Sequence, residues 1–297
     1  MIQDIAPARL KNVWVPGKTA GDADRILCVR LQRTASGRQA LAFLVRAGQE
    51  LAFPRLEELP ADACTDFAGN EDPVYLFSLC PARGEPMDFY LAGGEKAPEG
   101  FDWLTLREIR AKRRGAQALF YAVYTGAHLA TWYRHNRYCG SCGHETVASL
   151  AERARICPAC RRVIYPQLIP AIIAGVLDPA SDRILLTKYA NHDVPYYALV
   201  AGFTEIGETL EECVSREVYE EVGLHVKNIR YYKSQPWGSV QDILAGFYCD
   251  VDGSTTIRRQ EDELKEAVWV PRDAVRLQPD DWSLTNEMME NFKKGRI

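Results

Sequence analysis

The stretch from Gly202 to Leu224, GFTEIGETLEECVSREVYEEVGL, carries the residues best suited to chemistry in this chain. Residues three and four apart on a helix share a face, so Glu217, Glu220 and Glu221 are expected to stand side by side, with Glu208 just upstream. An acid-rich helix is more often a solvated surface. Carboxylates grouped this closely repel each other unless a cation lies among them, and hard oxygen ligands favour Mg²⁺ or Mn²⁺. The spacing predicts a divalent-cation site.

The flanking residues predict how a helix would present these carboxylates. Thr209 and Glu212 have the spacing of a capping box, which favours a helix beginning at this point, and Gly223 is a suitable C-terminal glycine. Arg216 can brace one carboxylate by a two-pronged hydrogen bond. An inward-facing apolar stripe is predicted at Leu210, Val214 and Val218.

Two CxxC pairs form a second candidate site. Four thiolates separated by short loops match the tetrahedral coordination of Zn²⁺, and four filled positions indicate a closed, structural site with one zinc per chain. A redox pair would be a single CxxC at the start of a helix. A zinc ribbon alone often indicates nucleic-acid binding, but this one directly precedes the acidic motif, which favours a role in joining two domains. The predicted ligands are Cys139, Cys142, Cys157 and Cys160.

Bulk properties narrow the class of protein. The 297 residues and 47% hydrophobic content suit about two domains with buried cores. The sequence shows no signal peptide and no apolar run long enough for a membrane helix, and nine cysteines without an export signal favour a reducing, cytoplasmic compartment. A net charge of −4 gives no overall attraction to nucleic acid, although residues 107–162 carry eleven Lys and Arg against three Asp and Glu.

Hydrophobic patterning predicts the elements that would position these sites. Residues 1–100 suggest a small, mostly β domain, residues 101–135 a linker of two helices broken near Gly115 or Gly126, residues 136–168 the ribbon and residues 169–297 an α/β domain. A closing helix is predicted over 283–293. Strands are predicted over 25–31, 39–45, 74–79, 171–177, 183–187, 196–201, 229–233, 243–251 and 268–270.

The spacing from Gly202 through Glu208 to Arg216-Glu217 and Glu220-Glu221 is the complete Nudix box, and the chain resembles a Nudix hydrolase. The ribbon, the segment Tyr165-Pro-Gln-Leu-Ile-Pro170 and the sequence Ser234-Gln235-Pro236-Trp237 resemble its NADH pyrophosphatase branch. The resemblance implies an α/β fold, with a Nudix α/β/α sandwich and mixed sheet preceded by the zinc ribbon and a small, mostly β N-terminal domain. It also implies a homodimer that hydrolyses NAD(H) to nicotinamide mononucleotide and AMP, or removes NAD caps from RNA.

The resemblance also implies roles for individual residues. Catalysis would involve Glu217, Glu220, Glu221 and Glu263 with Mg²⁺ or Mn²⁺, together with Glu208 and Arg216, although Glu261 and Glu266 lie close to Glu263. Either Glu220 or Glu263 would be the general base. Substrate-binding positions would be Phe203, Tyr165, Gln235, Trp237, Ala201 and Gly202.

The sequence departs from this branch after Trp237, where Gly238-Ser239-Val240 replaces Pro-Phe-Pro and Asp242 replaces a serine. The change predicts a flexible loop in place of a stiff aromatic one and leaves other diphosphates open as substrates, including ADP-ribose and dinucleoside polyphosphates. A third interpretation is a nucleic-acid-binding protein that uses the Nudix domain as a ligand sensor.

Overall fold

The computed structural model describes residues 1–34, 36–70, 72–112, 114–190 and 195–297, which form two compact units. The N-terminal unit comprises residues 4–167 and 238–240. The C-terminal unit comprises residues 1–3, 168–237 and 241–297. The boundaries expected at residues 100, 135 and 168 stay predictions.

A six-stranded sheet forms the core of the N-terminal unit, as the apolar runs of the first hundred residues predict. Its order is β1-β4-β5-β2-β3-β6, with β2 and β5 parallel and the other neighbours antiparallel. Three of these strands lie where the sequence indicates them, and β1, β5 and β6 are additional. The strands are β1 (Arg9–Lys11), β2 (Arg25–Arg33), β3 (Gln39–Arg46), β4 (Val74–Cys80), β5 (Met87–Gly93) and β6 (Phe101–Thr105).

Two helices follow the sheet, α1 (Leu106–Lys112) and α2 (Gln117–His135), and they are separated near Gly115 as predicted. Gly126 instead lies inside α2, where a Cβ atom would come within 2.3 Å of Leu27 Cδ1, so the glycine permits close packing on the sheet. The prediction of helix from residue 101 is wrong, because residues 101–105 pair with β3 as an edge strand. No helix in the described part of the chain is long and apolar enough to cross a membrane.

The ribbon consists of three short strands, β7 (Val147–Ala148), β8 (Arg155–Ile156) and β9 (Val163–Ile164). Arg155 on β8 is fully buried, and its guanidinium donates hydrogen bonds to Thr146 Oγ1 at 2.6 Å and to Asn70 Oδ1 at 3.4 Å. Arg137 pairs with Asp66 and Glu145. Part of the basic excess over residues 107–162 is therefore engaged in hydrogen bonds and ion pairs within the protein.

The C-terminal unit is an α/β/α sandwich, as predicted. Its mixed sheet has the order β13-β14-β10-β11-β15, with β12 also paired to β10 and with β10 and β14 parallel. Helix α3 packs on one face against Ile172 and Phe247, and α4 packs on the other against Ile173 and Tyr248. The elements are β10 (Ile169–Asp178), β11 (Arg183–Tyr189), β12 (Val200–Phe203), α3 (Leu210–Val222), β13 (His225–Trp237), β14 (Asp242–Asp252), β15 (Leu264–Pro271) and α4 (Leu284–Lys293).

The turn between β13 and β14 contains the residues that depart from the family pattern. Gly238 is buried, and a Cβ atom there would lie 2.0 Å from the carbonyl oxygen of Tyr124 on α2. Because a backbone atom occupies that space, Gly238 serves close packing rather than the flexibility predicted from the sequence.

We expect Gly238→Ala to lower the stability of the protein by about 1–3 kcal/mol, the usual cost of forcing extra volume into a packed site. Urea unfolding followed by tryptophan fluorescence measures the change. Ser239→Ala, at the exposed neighbouring position, is the matched control and should stay within about 0.5 kcal/mol of the parent. Equal stability of the two variants would contradict the close contact with Tyr124.

Candidate functional site

The acidic helix begins and ends at the residues that the sequence indicates. Thr209 precedes α3 with an extended backbone, its side chain accepts a hydrogen bond from the backbone N–H of Glu212, and the Glu212 carboxylate accepts one in return. Gly223 ends the helix with φ of 68°, in the left-handed region. Val214 and Val218 are fully buried, while Leu210 is partly buried against the same core. This packing fixes the direction in which the glutamates point.

Arg216 is the centre of the carboxylate group. Its Nε and Nη2 atoms donate to the two oxygens of Glu208 at 2.7 and 2.9 Å, which is the predicted two-pronged brace. Nη1 donates to Glu217 at 2.7 Å and to Glu220 at 3.0 Å. Nη2 also donates to the carbonyl of Phe203 at 3.0 Å, which ties the helix to the end of β12. Hydrogen bonds from Arg216 lower the pKa of Glu208 to about 2.

Glu221 is turned inward and lacks such a partner. Its side chain is only 2% exposed, and its Oε2 atom has no hydrogen bond within the described residues. Burial raises its pKa to about 8, and the negative charges of Glu263 and Glu217 add to the shift. A buried carboxylate oxygen that faces further carboxylates is a suitable ligand for a divalent cation, and Glu217, Glu220, Glu221 and Glu263 are the residues that would hold it.

Glu263 is favoured over its two acidic neighbours as a member of this group. The Glu266 carboxylate accepts hydrogen bonds from Tyr197 at 2.7 Å and Lys188 at 3.0 Å, so it is already engaged. Glu261 is 85% exposed and pairs with Arg259. The charge of Glu263, in contrast, acts on both Glu217 and Glu221.

Gly202 has a steric role that spacing alone did not reveal. It lies on β12 opposite Ile172, and a Cβ atom there would come within 1.9 Å of the Glu217 carboxyl carbon. Only glycine leaves room for that carboxyl group against the strand. The positioning of Glu217 thus depends on a residue outside the helix.

Tyr189 is a site residue that sequence reasoning missed. Its hydroxyl accepts a hydrogen bond from the backbone N–H of Ala201 at 3.1 Å and lies beside Glu221. It ends β11 at the register shift against β15. The apolar run over 183–187 indicated the strand but gave no signal for this tyrosine.

The residues predicted to contact substrate differ in their surroundings. Phe203 is 54% exposed at the end of β12, and Tyr165 is 53% exposed, with its hydroxyl donating to Glu152 at 2.9 Å. Trp237 is half-buried at the end of β13. Substrate-facing roles for these three side chains stay predictions.

Gln235 requires a correction, because it is fully buried and its amide is committed within the protein. Its Nε2 donates to the carbonyl of Trp282 at 2.7 Å, and its Oε1 accepts from the backbone N–H of Leu284 at 2.7 Å. Gln235 therefore joins β13 to the start of α4 rather than contacting substrate.

The four cysteines of the ribbon converge, as their spacing predicts. Their sulfur atoms all lie within 4.8 Å of one another, including Cys139–Cys160 at 3.6 Å and Cys142–Cys157 at 3.4 Å. This soft, four-sulfur donor set fits tetrahedral zinc. In the described residues, the glutamates form no group of this kind.

The two cysteine loops share one backbone pattern. The N–H of Gly143 bonds to the carbonyl of Cys139 at 2.8 Å, and the N–H of Arg161 bonds to that of Cys157 at 2.9 Å. Both donor residues have positive φ. Backbone N–H groups that point at the sulfurs lower the pKa of Cys139 to about 6 and also lower the pKa of Cys157. The thiolate, which is the zinc-binding form, is therefore favoured at these two cysteines, whereas the hydrogen bond with Cys157 raises the pKa of Cys142 to about 12.

Comparison with known proteins agrees with both sites. The NUDIX domain model matches residues 168–292, and the NADH pyrophosphatase zinc ribbon domain model matches residues 134–165. A protein named NAD-capped RNA hydrolase NudC from Photorhabdus laumondii is 39% identical over 188 residues, which cover 63% of this chain and 71% of that one. The chain is a Nudix hydrolase of the NADH pyrophosphatase branch. A second relative of the same name, from Yersinia enterocolitica, is 38% identical over 190 residues, or 64% of this chain and 70% of the relative.

The crystal structure of a NUDIX hydrolase from Nitrosomonas europaea aligns with a TM-score of 0.44 and 21% identity, covering 54% of this chain and 92% of that one. The sequence matches to the two NudC proteins each leave more than a third of this Nudix hydrolase uncovered.

Replacing one ribbon cysteine should remove zinc. We expect the parent protein to hold about one zinc per chain and Cys157→Ser to hold well below that, because a structural site needs all four ligands. Elemental analysis of the purified proteins gives the ratio. Cys80→Ser, which changes a cysteine outside the cluster, is the control and should keep its zinc. Full zinc content in Cys157→Ser would disprove the four-cysteine assignment.

Cation binding at the acidic helix should release a proton. Because the pKa of Glu221 is raised, the folded, cation-free chain still holds a proton on this carboxyl group at pH 7, whereas the unfolded chain has lost it. The contribution of Glu221 to the stability of the folded protein therefore falls as the pH rises from about 5 to 8. A cation needs the ionised form, so we expect release of about one proton per chain and tighter binding as pH rises toward 8.

Isothermal titration calorimetry with Mg²⁺ at pH 7, in two buffers of different ionisation enthalpy, measures this release. Glu221→Gln should abolish the buffer dependence. Identical heats for the parent protein in both buffers would show that Glu221 is already ionised.

Proposed function

We propose that this chain hydrolyses the diphosphate linkage of NAD(H), free or as the 5′ cap of RNA, to give nicotinamide mononucleotide and AMP or the 5′-monophosphate RNA end. The observation that carries the proposal is the carboxylate group of α3, in which Arg216 holds Glu208, Glu217 and Glu220 while Glu221 offers a buried, unpartnered oxygen. The NADH pyrophosphatase ribbon and the names of the relatives support this substrate class.

The residues of the chain would divide the work. Glu217, Glu220, Glu221 and Glu263 would bind the cation, Mg²⁺ or Mn²⁺, and Glu220 or Glu263 would take the proton of the attacking water. When bound, the cation supplies positive charge against the diphosphate oxygens and activates water. Arg216, through its bond to the Phe203 carbonyl, keeps the carboxylates in register with β12.

The exposed ring of Phe203 would stack on a base or on nicotinamide, since an aromatic face is a sequence-tolerant platform for such rings. The altered turn after Trp237 leaves ADP-ribose and dinucleoside polyphosphates as the competing substrates. We also propose a cytoplasmic homodimer, on the basis of the family resemblance and the nine free cysteines.

Product analysis tests the proposal. We expect the purified protein with Mg²⁺ or Mn²⁺, offered equal concentrations of NADH, NAD⁺, ADP-ribose and diadenosine polyphosphates, to form nicotinamide mononucleotide and AMP fastest. Glu220→Gln should keep the fold and lose turnover by about two orders of magnitude or more, because it removes one ligand charge and one candidate base.

The matched control is Glu211→Gln, which neutralises an exposed glutamate in the first turn of the same helix and should retain parent-like rates. If NAD(H) were cleaved slowly and another diphosphate rapidly, that other diphosphate would be the preferred substrate. Parent-like rates in Glu220→Gln at saturating Mg²⁺ would refute the proposed site.

A further inference from the structure

A positively charged groove lies in the N-terminal unit. It has a volume of about 660 Å³. Its walls are the turn end of the β2–β3 hairpin, the start of α1, the C-terminal half of α2 and the turn at Gly238–Ser239. The lining includes four arginines and one carboxylate: Arg33, Arg38, Arg107, Arg134 and Glu108.

The single carboxylate among the described lining residues is already engaged. Glu108 Oε2 accepts hydrogen bonds from the backbone N–H of Thr105 at 2.8 Å and from its hydroxyl at 2.7 Å, which lower the pKa of Glu108. Glu108 forms no ion pair with an arginine in the described part of the chain. The guanidinium charges of the groove are therefore left uncompensated.

Three of the four guanidiniums are available to a ligand. Arg33, Arg38 and Arg107 are exposed, and within the described residues they make no side-chain hydrogen bond or ion pair. Other arginines of this unit are paired, such as Arg46 with Glu58. Arg134 is half-buried and bonds to His135 at 2.8 Å. A planar guanidinium matches the oxygens of a phosphate, so the free arginines suit a ligand with several phosphates.

One segment of the groove is close in sequence to a predicted substrate-binding residue. Gly238, which lines the groove, directly follows Trp237 in sequence, and the close approach of Gly238 to the Tyr124 carbonyl holds the turn on α2. A concave channel formed by several segments suits an extended chain better than a flat lipid surface.

We propose that this groove binds the phosphodiester backbone of the RNA whose capped 5′ end is the proposed substrate. This inference rests on the proposed function, since it makes the RNA chain a second recognition element beside the dinucleotide. Free NAD(H) lacks that chain and does not use the groove. Arg33, Arg38 and Arg107 set the preference for capped RNA over free dinucleotide.

A double variant, Arg33→Ala with Arg38→Ala, separates the two substrates. For NAD-capped RNA of about 20 nucleotides or more, we expect KM to rise about three- to tenfold and its salt dependence to weaken, because each lost phosphate contact lowers the slope of log affinity against log salt by about 0.7. For NADH, kcat and KM should stay at parent values. The Arg→Lys pair at the same positions should recover part of the affinity, since charge is kept and the forked geometry is lost.

Arg83→Ala is the matched control, since it removes one exposed arginine outside the groove and should leave both substrates unaffected. Fluorescence anisotropy with uncapped RNA of the same length tests the groove without hydrolysis, so failure of the proposed activity would be distinguishable from failure of this inference. Unchanged RNA affinity in the double variant would overturn the inference, as would equal losses of activity on RNA and NADH. A double variant that lost binding to anionic lipid vesicles but kept its RNA affinity would also overturn it.

Discussion

The acidic site depends on one guanidinium placed among negative charges. Glu208, Glu217 and Glu220 would repel one another at hydrogen-bonding range, and Arg216 is the cation that brings them together in the described structure. Its further bond to the Phe203 carbonyl couples the charge group to the sheet, so the helix cannot rotate without breaking that bond. Glu221 lies outside this arrangement, and its buried Oε2 atom has no hydrogen-bond partner among the described residues. Three carboxylates thus share a single guanidinium, and the fourth has no cationic partner in the described structure, so an added cation would be favoured there.

The scaffold solves a steric problem as well as an electrostatic one. Helix α3 must approach β12 closely enough for its carboxylates to reach the sheet, and the approach is possible because Gly202 has no side chain. Capping by Thr209 and Gly223 fixes where the helix begins and ends, and the buried valines fix its rotation. The glycines and apolar residues of the motif therefore matter for geometry in the same way that the glutamates matter for charge.

Short-range sequence patterns predicted the features of the structure that depend on neighbouring residues. The capping box, the C-terminal glycine and the four-cysteine cluster follow from short-range spacing, and the structure has each of them. Gln235 and Tyr189 show the limit, since the burial of one and the contact of the other with Glu221 come from segments far apart in sequence. Gly238 shows the same limit, because its neighbour Tyr124 is more than a hundred residues away. The strand β6 was missed for the same reason, because its place in the sheet depends on pairing with β3, which is distant in sequence.

The buried Arg155 links zinc binding to the cooperativity of the N-terminal unit. Its guanidinium is held by Thr146, which lies between the two cysteine pairs, and by Asn70, which precedes β4. Opening the ribbon would leave the Arg155 charge buried with few hydrogen-bond partners, and an uncompensated buried charge is strongly destabilising. We therefore expect opening of the ribbon to be coupled to the segment that precedes β4. A substitution near Asn70 should thus weaken the retention of zinc, although Asn70 contacts none of the zinc ligands in the described structure.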